Sequence, residues 1–312
     1  MNALVRFFKA NPHKVGLMCA ALAALTYGLY PPASRAVYAD GGNAVLLVIV
    51  MTWARGLGMG LYCALTRKPL FQTREDMKQG IIGGALQACS VFGIMFALLY
   101  IPGPLVIIIV YTHTLMLLFF MAWKGEIRLD GINIATTIMA LFGLTLVLDL
   151  WHSQPEANWI GMGLAFMSAL VAVGRLYVYG HQTQKRHPIV VGAENFLIAA
   201  VLTLPALFFQ MPHLPASLTG DACLIAICAS VIVANFCMFW GISLLGSFQY
   251  SLMAKLEPIF TSFFSVLLLN EVLSLHQYVG IALVTGSLAA YQIAQKRKIN
   301  RQRAKLEILV EN

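Results

Sequence analysis

The sequence predicts an all-α membrane protein of ten transmembrane helices, arranged as two inverted five-helix repeats. Three observations predict it. Of the 312 residues 59% are hydrophobic and only 11% charged, with a mean hydropathy of +0.77, whereas a soluble domain carries about 25% charged residues. The apolar residues fall into ten runs of membrane length. The second five runs repeat the first five at a fixed offset, with their flanking charge reversed.

The runs are 15–39, 44–66, 78–99, 102–123, 131–150, 159–180, 189–210, 220–245, 247–269 and 276–294, each close to the ~20 residues that cross a bilayer. The first follows Arg6 and Lys9 and looks like a signal peptide. It is too long for one and nine more runs follow, so it is read as a retained helix behind a short cytoplasmic segment, 1–14. Two breaks are very short hairpin turns, at Tyr100-Ile101-Pro102-Gly103 and at Gly246-Ser247. A basic tail, 295–312, closes the chain and is solvated or lies on anionic lipid.

Lysine and arginine set the orientation. Of the 21, all but Arg35, Arg55, Arg175 and Lys255 fall before the first run, after the tenth, or in the segments around 67–78, 124–128 and 185–186. The alternate segments hold none, so both termini are expected on the cytoplasmic side of an inner or plasma membrane. A net charge of +8 could suggest nucleic acid, but the basic residues cap apolar runs and form no stripe. The expected partners are the lipid bilayer and a small-molecule substrate, with no nucleic acid; monomer and homodimer both stay open.

The repeat shows as a shared offset. Glu126 and Glu271, Gly16 and Gly161, Ala20 and Ala165, Ala24 and Ala169, Leu25 and Leu170, and Phe119 and Phe264 each stand 145 positions apart. The repeats are 15–150 and 151–294. Five spans is an odd number, so the second half is inverted; the basic loop at 67–78 has its counterpart at 211–220, which carries no Lys or Arg. Inverted repeats place a substrate near the bilayer midplane, between the halves.

Residues 239–291 carry a more specific pattern. Leu256-Glu257-Pro258 interrupts an apolar run, Glu271 follows thirteen residues after the proline, and Gly280 and Gly286 lie in the next run. This stretch resembles the last two helices of the EamA-type repeat of the drug/metabolite transporter superfamily, and the resemblance extends over roughly 16–148 and 161–291. It implies a ten-helix permease for small metabolites or drugs, often an exporter, working by alternating access without a cofactor. The first half departs at one place: His113 stands where the second half has Pro258, so a helix break there no longer follows from proline.

The charges inside the runs are the candidate site. Arg55 lies mid-span in Thr52-Trp53-Ala54-Arg55-Gly56, where a charge costs about 2.5–3.5 kcal/mol on insertion scales. It faces a counter-ion or a substrate cavity, together with Met51, Thr52, Met59 and Tyr62 on the same helical face. Lys255 and Glu257 are about 200° apart around a straight helix. They share a cavity only if Pro258 bends it by freeing a carbonyl near Ala254. The resemblance makes Glu257 first a scaffold residue; Lys255 is open between ligand and scaffold. Arg175, toward the cytoplasmic end of the sixth run, snorkels, pairs or binds substrate. Tyr27, Tyr111, His113 and Trp53 complete the candidate substrate-binding set with Arg55, Lys255 and Arg175, although Tyr27 and Trp53 also suit plain packing. Glu194 and Glu257 are the candidate proton-coupling or counter-ion groups. Glu194 ranks first because no family motif explains it, and His113 second.

Arg35 is read as snorkelling outward, and Glu126 and Glu271, ending runs four and nine, as anchors for loop backbone. Arg55, Lys255 and Glu194 have Ala200, Val110 and Ile49 as repeat counterparts, so the unrepeated charges carry specificity. Four basic groups against two carboxylates within the spans favour an anionic or zwitterionic substrate, such as an amino acid or organic acid. The six cysteines have no CxxC spacing and read as packing residues, not metal ligands. There is no GxSxG, no HExxH and no paired intramembrane aspartate, so no enzyme is expected. A channel or a regulatory membrane protein is the runner-up, weakened by the lack of a repeated polar ring.

Overall fold

The computed structural model describes the backbone of residues 11–150 and 158–311, with side chains to 298. Arg6, Lys9, the opening of the second repeat at 151–157, and the side chains of Arg301, Arg303 and Lys305 fall outside these. Every regular element among the described residues is helical. In order they are α1 Pro12–Ala39, α2 Ala44–Leu65, α3 Arg74–Ala97, α4 Gly103–Tyr111, α5 His113–Trp123, α6 Gly131–Val147, α7 Trp159–Lys185, α8 Pro188–Thr203 with a 3₁₀ extension Leu204–Phe208, α9 Leu218–Leu245, α10 Ser247–Met253, a 3₁₀ turn Ala254–Leu256, α11 Glu257–Leu269 and α12 Leu275–Glu311. With α4–α5 and α10–α11 each taken as one run, eight runs among the described residues are long and apolar enough to cross a membrane. The helix α6 is shorter at 17 residues, and α12 continues through the basic tail for 37.

Local chemistry explains where the helices depart from the apolar runs. The helix α3 starts about a turn before its run because Thr73 and Asp76 form a reciprocal capping box. Pro12 and Pro188 open α1 and α8 in the first turn, where a missing N–H costs nothing. Gly246, at φ +82°, both ends α9 and begins α10; only glycine takes that conformation freely. The helix α7 outruns its apolar stretch and ends at Lys185, which moves Arg175 away from the helix end expected for it.

The two broken helices follow different chemistry. Pro258 sits in the first turn of α11, directly after the 3₁₀ turn. The first-half break lies at Thr112 without a proline. There the Thr112 hydroxyl donates to Ile109 O at 2.6 Å and the His113 Nδ1–H to Val110 O at 2.7 Å. Two polar side chains thus satisfy carbonyls that the break releases.

Helix α1 packs on α9 and α11, α7 on α3, α4 and α5, α8 on α2 and α3, α2 on α9, and α6 on α12. Close approach needs small residues. A Cβ on Gly28 would lie 2.9 Å from the Phe260 backbone, and one on Gly84 would lie 2.8 Å from Asn195 O. Buried Met51, Thr52, Met59 and Cys63 face inward from α2, while Leu57, Leu61 and Leu65, one turn apart, are exposed. Lipid, not water, meets that leucine stripe.

Candidate functional site

Both helix breaks meet at the centre of the bundle. At the first, Leu115 N–H turns to Thr112 O at 3.0 Å, so Tyr111 O loses its helical donor. The Lys255 ammonium, from the second break, donates to that oxygen at 3.0 Å and stands 4.0 Å from the Tyr111 ring centroid. Lys255 is fully buried. The 3₁₀ turn is the reason it and Glu257 approach one place: the segment is not the straight helix that would separate them by about 200°. Glu257 follows two residues after Lys255, at the start of α11. Lys255 is therefore the clasp between the two breaks, with Glu257 beside it.

Arg55 comes to this centre from α2. Its guanidinium lies over the rings of Tyr27, at 6.0 Å, and Phe196, at 5.5 Å. Its Nε is buried and bonds to no described residue. Arg175 arrives from α7 and donates to Gln87 Oε1 on α3, a residue only 3% exposed. Its Nε is likewise buried and unbonded. Snorkelling is thus overturned for Arg175: the helix continues ten residues past it to Lys185, and the side chain is tied to a buried amide. The buried Oδ1 of Asn235, on α9, also bonds to no described residue. Orphaned buried polar atoms are rare in folded proteins and each calls for an explanation; Asn133 Oδ1, His187 Nδ1 and Asn195 Oδ1 are further ones among the described residues.

His113 is 8% exposed, with its Nδ1 committed to Val110 O and its ring 6.1 Å from that of Tyr111. Trp53 is half-buried, two residues and about 200° around α2 from Arg55, and joins none of these contacts.

Glu194 belongs to a different place. It is 1% exposed and takes both ends of the Arg186 guanidinium, at 2.6 and 2.7 Å, and the Phe71 N–H at 2.6 Å. Arg186 also meets Asp76 at 3.2 Å, next to the α3 cap. Its hydrogen bonds to the Glu194 carboxylate hold the guanidinium, in the α7–α8 connection, above its usual pKa. This ties together the 67–73 loop and the starts of α3 and α8.

The loop-anchor reading of Glu126 and Glu271 is corrected by their side-chain partners. Glu126 accepts from Tyr177 Oη at 2.9 Å and meets His181 Nε2 at 3.3 Å; Glu271 pairs with Arg35, which is therefore partnered and not simply snorkelling. Sequence reasoning missed Gln87 and Asn235 as members of the centre. Each is an amide inside an apolar run, and that mismatch was the available signal.

The profile of the EamA-like transporter family matches residues 159–291. The chain is 22% identical over 317 residues to an uncharacterized transporter of Synechocystis sp. (strain ATCC 27184 / PCC 6803 / Kazusa), over 90% of this chain and 94% of that protein. A solved crystal structure of a protein only 18% identical superposes with a TM-score of 0.74 over 89% of this chain and 98% of that one, which establishes a common fold. The match of residues 159–291 to the EamA-like transporter family, the transporter relative and the long apolar helices together support an integral membrane transporter.

Proposed function

We propose that the chain is a permease of two inverted five-helix repeats, 15–150 and 151–294, which carries a small anionic or zwitterionic metabolite, an amino acid or organic acid, through the centre of the bundle by alternating access. It works in the inner or plasma membrane with both termini cytoplasmic, and exports its substrate. One observation carries the substrate reading: Arg55 from the first half and Arg175 from the second each keep a buried, unbonded Nε inside the bundle. A guanidinium fork matches a carboxylate geometrically. A carboxylate arriving between the two arginines would relieve a buried positive charge that no described side chain neutralises by contact. Glu257, Tyr111 and Tyr27 then face the substrate's polar or ammonium end, and Lys255 holds the two breaks in register.

The helix pairings support the repeat. Exchanging α1 with α7, α2 with α8, α3 with α9, α5 with α11 and α6 with α12 turns the most extensive packed pairs into packed pairs: α1–α9 becomes α7–α3, α1–α11 becomes α7–α5, α3–α8 becomes α9–α2, and α2–α8 and α6–α12 map onto themselves. The break at Thr112 falls 145 positions before Glu257, the start of α11. If protons drive the cycle, Glu257 is the carrier in preference to Glu194, whose carboxylate is already committed to Arg186 and Phe71.

Purified protein in sealed liposomes tests this. Saturable flux of labelled amino or organic acids is expected, abolished in Arg55→Ala and little restored in Arg55→Lys. Flux proportional to concentration at all levels favours the channel reading. Transport of a quaternary ammonium compound at wild-type rates by both Arg55→Ala and Lys255→Ala would sink the proposal.

A further inference from the structure

We propose that Glu126 and Glu271 are a matched pair of gate latches, one at each end of the path, that close in alternation. The same local turn presents both. Each follows a residue in the left-handed region, Gly125 at φ +75° and Asn270 at φ +53°, just past the ends of α5 and α11. That conformation stops the helix and turns the next side chain outward from its axis. Each glutamate then reaches the end of the partner helix: Glu126 holds Tyr177 and His181 on α7, and Glu271 holds Arg35 on α1. The pairs α5–α7 and α11–α1 are equivalent under the repeat exchange, and inversion puts them at opposite membrane faces. This rests on the orientation and the inverted repeat proposed above.

The strength of the contacts suits a gate. Arg35 and Glu271 are 62% and 43% exposed, and His181 and Glu126 are 42% and 30% exposed. Exposed ion pairs are weak and are made and broken easily. The α6–α12 pair differs in the number of its ties, not in their strength: it carries one at each end, Asp130–Lys298 at 2.7 Å and Asp149–His276 at 2.9 Å, and these are about as exposed as the latches. With a tie at each end that pair keeps one when the other opens; a pair whose one described tie lies at a single face is freed at that face when the tie breaks. In this structure both latches are made. Releasing one lets its end open, and the shared helix breaks at Tyr111 and Lys255 then carry the tilt to the other end, which tightens.

Hydrogen–deuterium exchange by mass spectrometry tests this on the full chain in lipid nanodiscs, without substrate. Glu126→Gln should speed exchange about fivefold, the scale of one exposed ion pair, over 120–127 and 177–186, and slow it over 34–43 and 266–276. Glu271→Gln should give the mirror pattern. His181→Gln and Arg35→Gln, which remove the partners instead, should repeat the respective results and guard against a misfolded glutamate variant. Faster exchange at the mutated end with no slowing at the other makes the glutamates local anchors and overturns the proposal; so does no change at either end. A failed flux assay would count against the substrate reading and leave this result standing, and the converse also holds.

Discussion

Two regions of this molecule bury charge, and they treat it in opposite ways. Around Glu194, each charge is consumed by its neighbours: Arg186 grips both carboxylate oxygens, Phe71 adds a backbone donor, and Asp76 takes the guanidinium Nε. Around Arg55, two guanidinium groups keep buried donors unbonded and meet chiefly aromatic faces and one amide. A saturated buried network holds a fold together. An unsaturated one is tolerated only where something else completes it, because a buried unpaired group costs free energy that evolution otherwise removes. Burial alone therefore does not mark a site; what separates the two regions is whether the ionised groups are paired, since the neutral Asn195 Oδ1 and His187 Nδ1 beside Glu194 and Arg186 are also buried and unbonded.

The sharpest way to break this comparison is to remove a partner on the saturated side. Arg186→Ala strands the Glu194 carboxylate in a buried position, and truncating one member of a buried pair costs about 3–5 kcal/mol. A large fall in the thermal midpoint of purified protein is expected, whatever the substrate. An unchanged midpoint would show that the two regions do not differ as argued.

The matching change in the centre should act on function and not on folding. Arg55→Ala removes a cation whose insertion costs about 2.5–3.5 kcal/mol and breaks no hydrogen bond to a described residue. The melting temperature should hold or rise while flux disappears. A marked loss of stability would place Arg55 among the structural charges. A ligand sharpens the contrast further: a bound amino or organic acid should raise the wild-type melting temperature and leave Arg55→Ala unmoved.

The smallest effect is expected at the surface. Lys298 and Asp130 are 45% and 37% exposed, and such pairs contribute about 0–1 kcal/mol. Lys298→Ala should shift stability within that range and leave flux intact, which sets the baseline for the two larger changes.

Much of the architecture was legible in the residues themselves. Apart from the last, whose helix runs on through the basic tail to Glu311, the apolar runs match helices to within about five residues, because lipid forces every backbone group into a local hydrogen bond and leaves helix as the default. Gly246 and Pro258 marked their turns because each has a conformational property no other residue shares. The first-half break escaped that logic, since Thr112 and His113 make it with side-chain hydrogen bonds that any apolar helix could in principle do without. Arg175 was placed too near the membrane surface, because the polar turn His181–Lys185 is still helix although its composition is not that of a span.

By itself, then, the sequence determined that the chain lives in a membrane, where its helices run, and that Arg55, Arg175, Lys255, Glu194 and Glu257 needed an explanation. Those follow from hydropathy and from the cost of charge in lipid, which are properties of residues one at a time. Only the tertiary structure decided that Glu194 closes on Arg186, that Lys255 clasps Tyr111 across the two breaks, and that Arg55 and Arg175 stay unsaturated. Partnership depends on which helices pack together and at what rotation, and residues 123 or 144 positions apart are brought into contact by that packing alone.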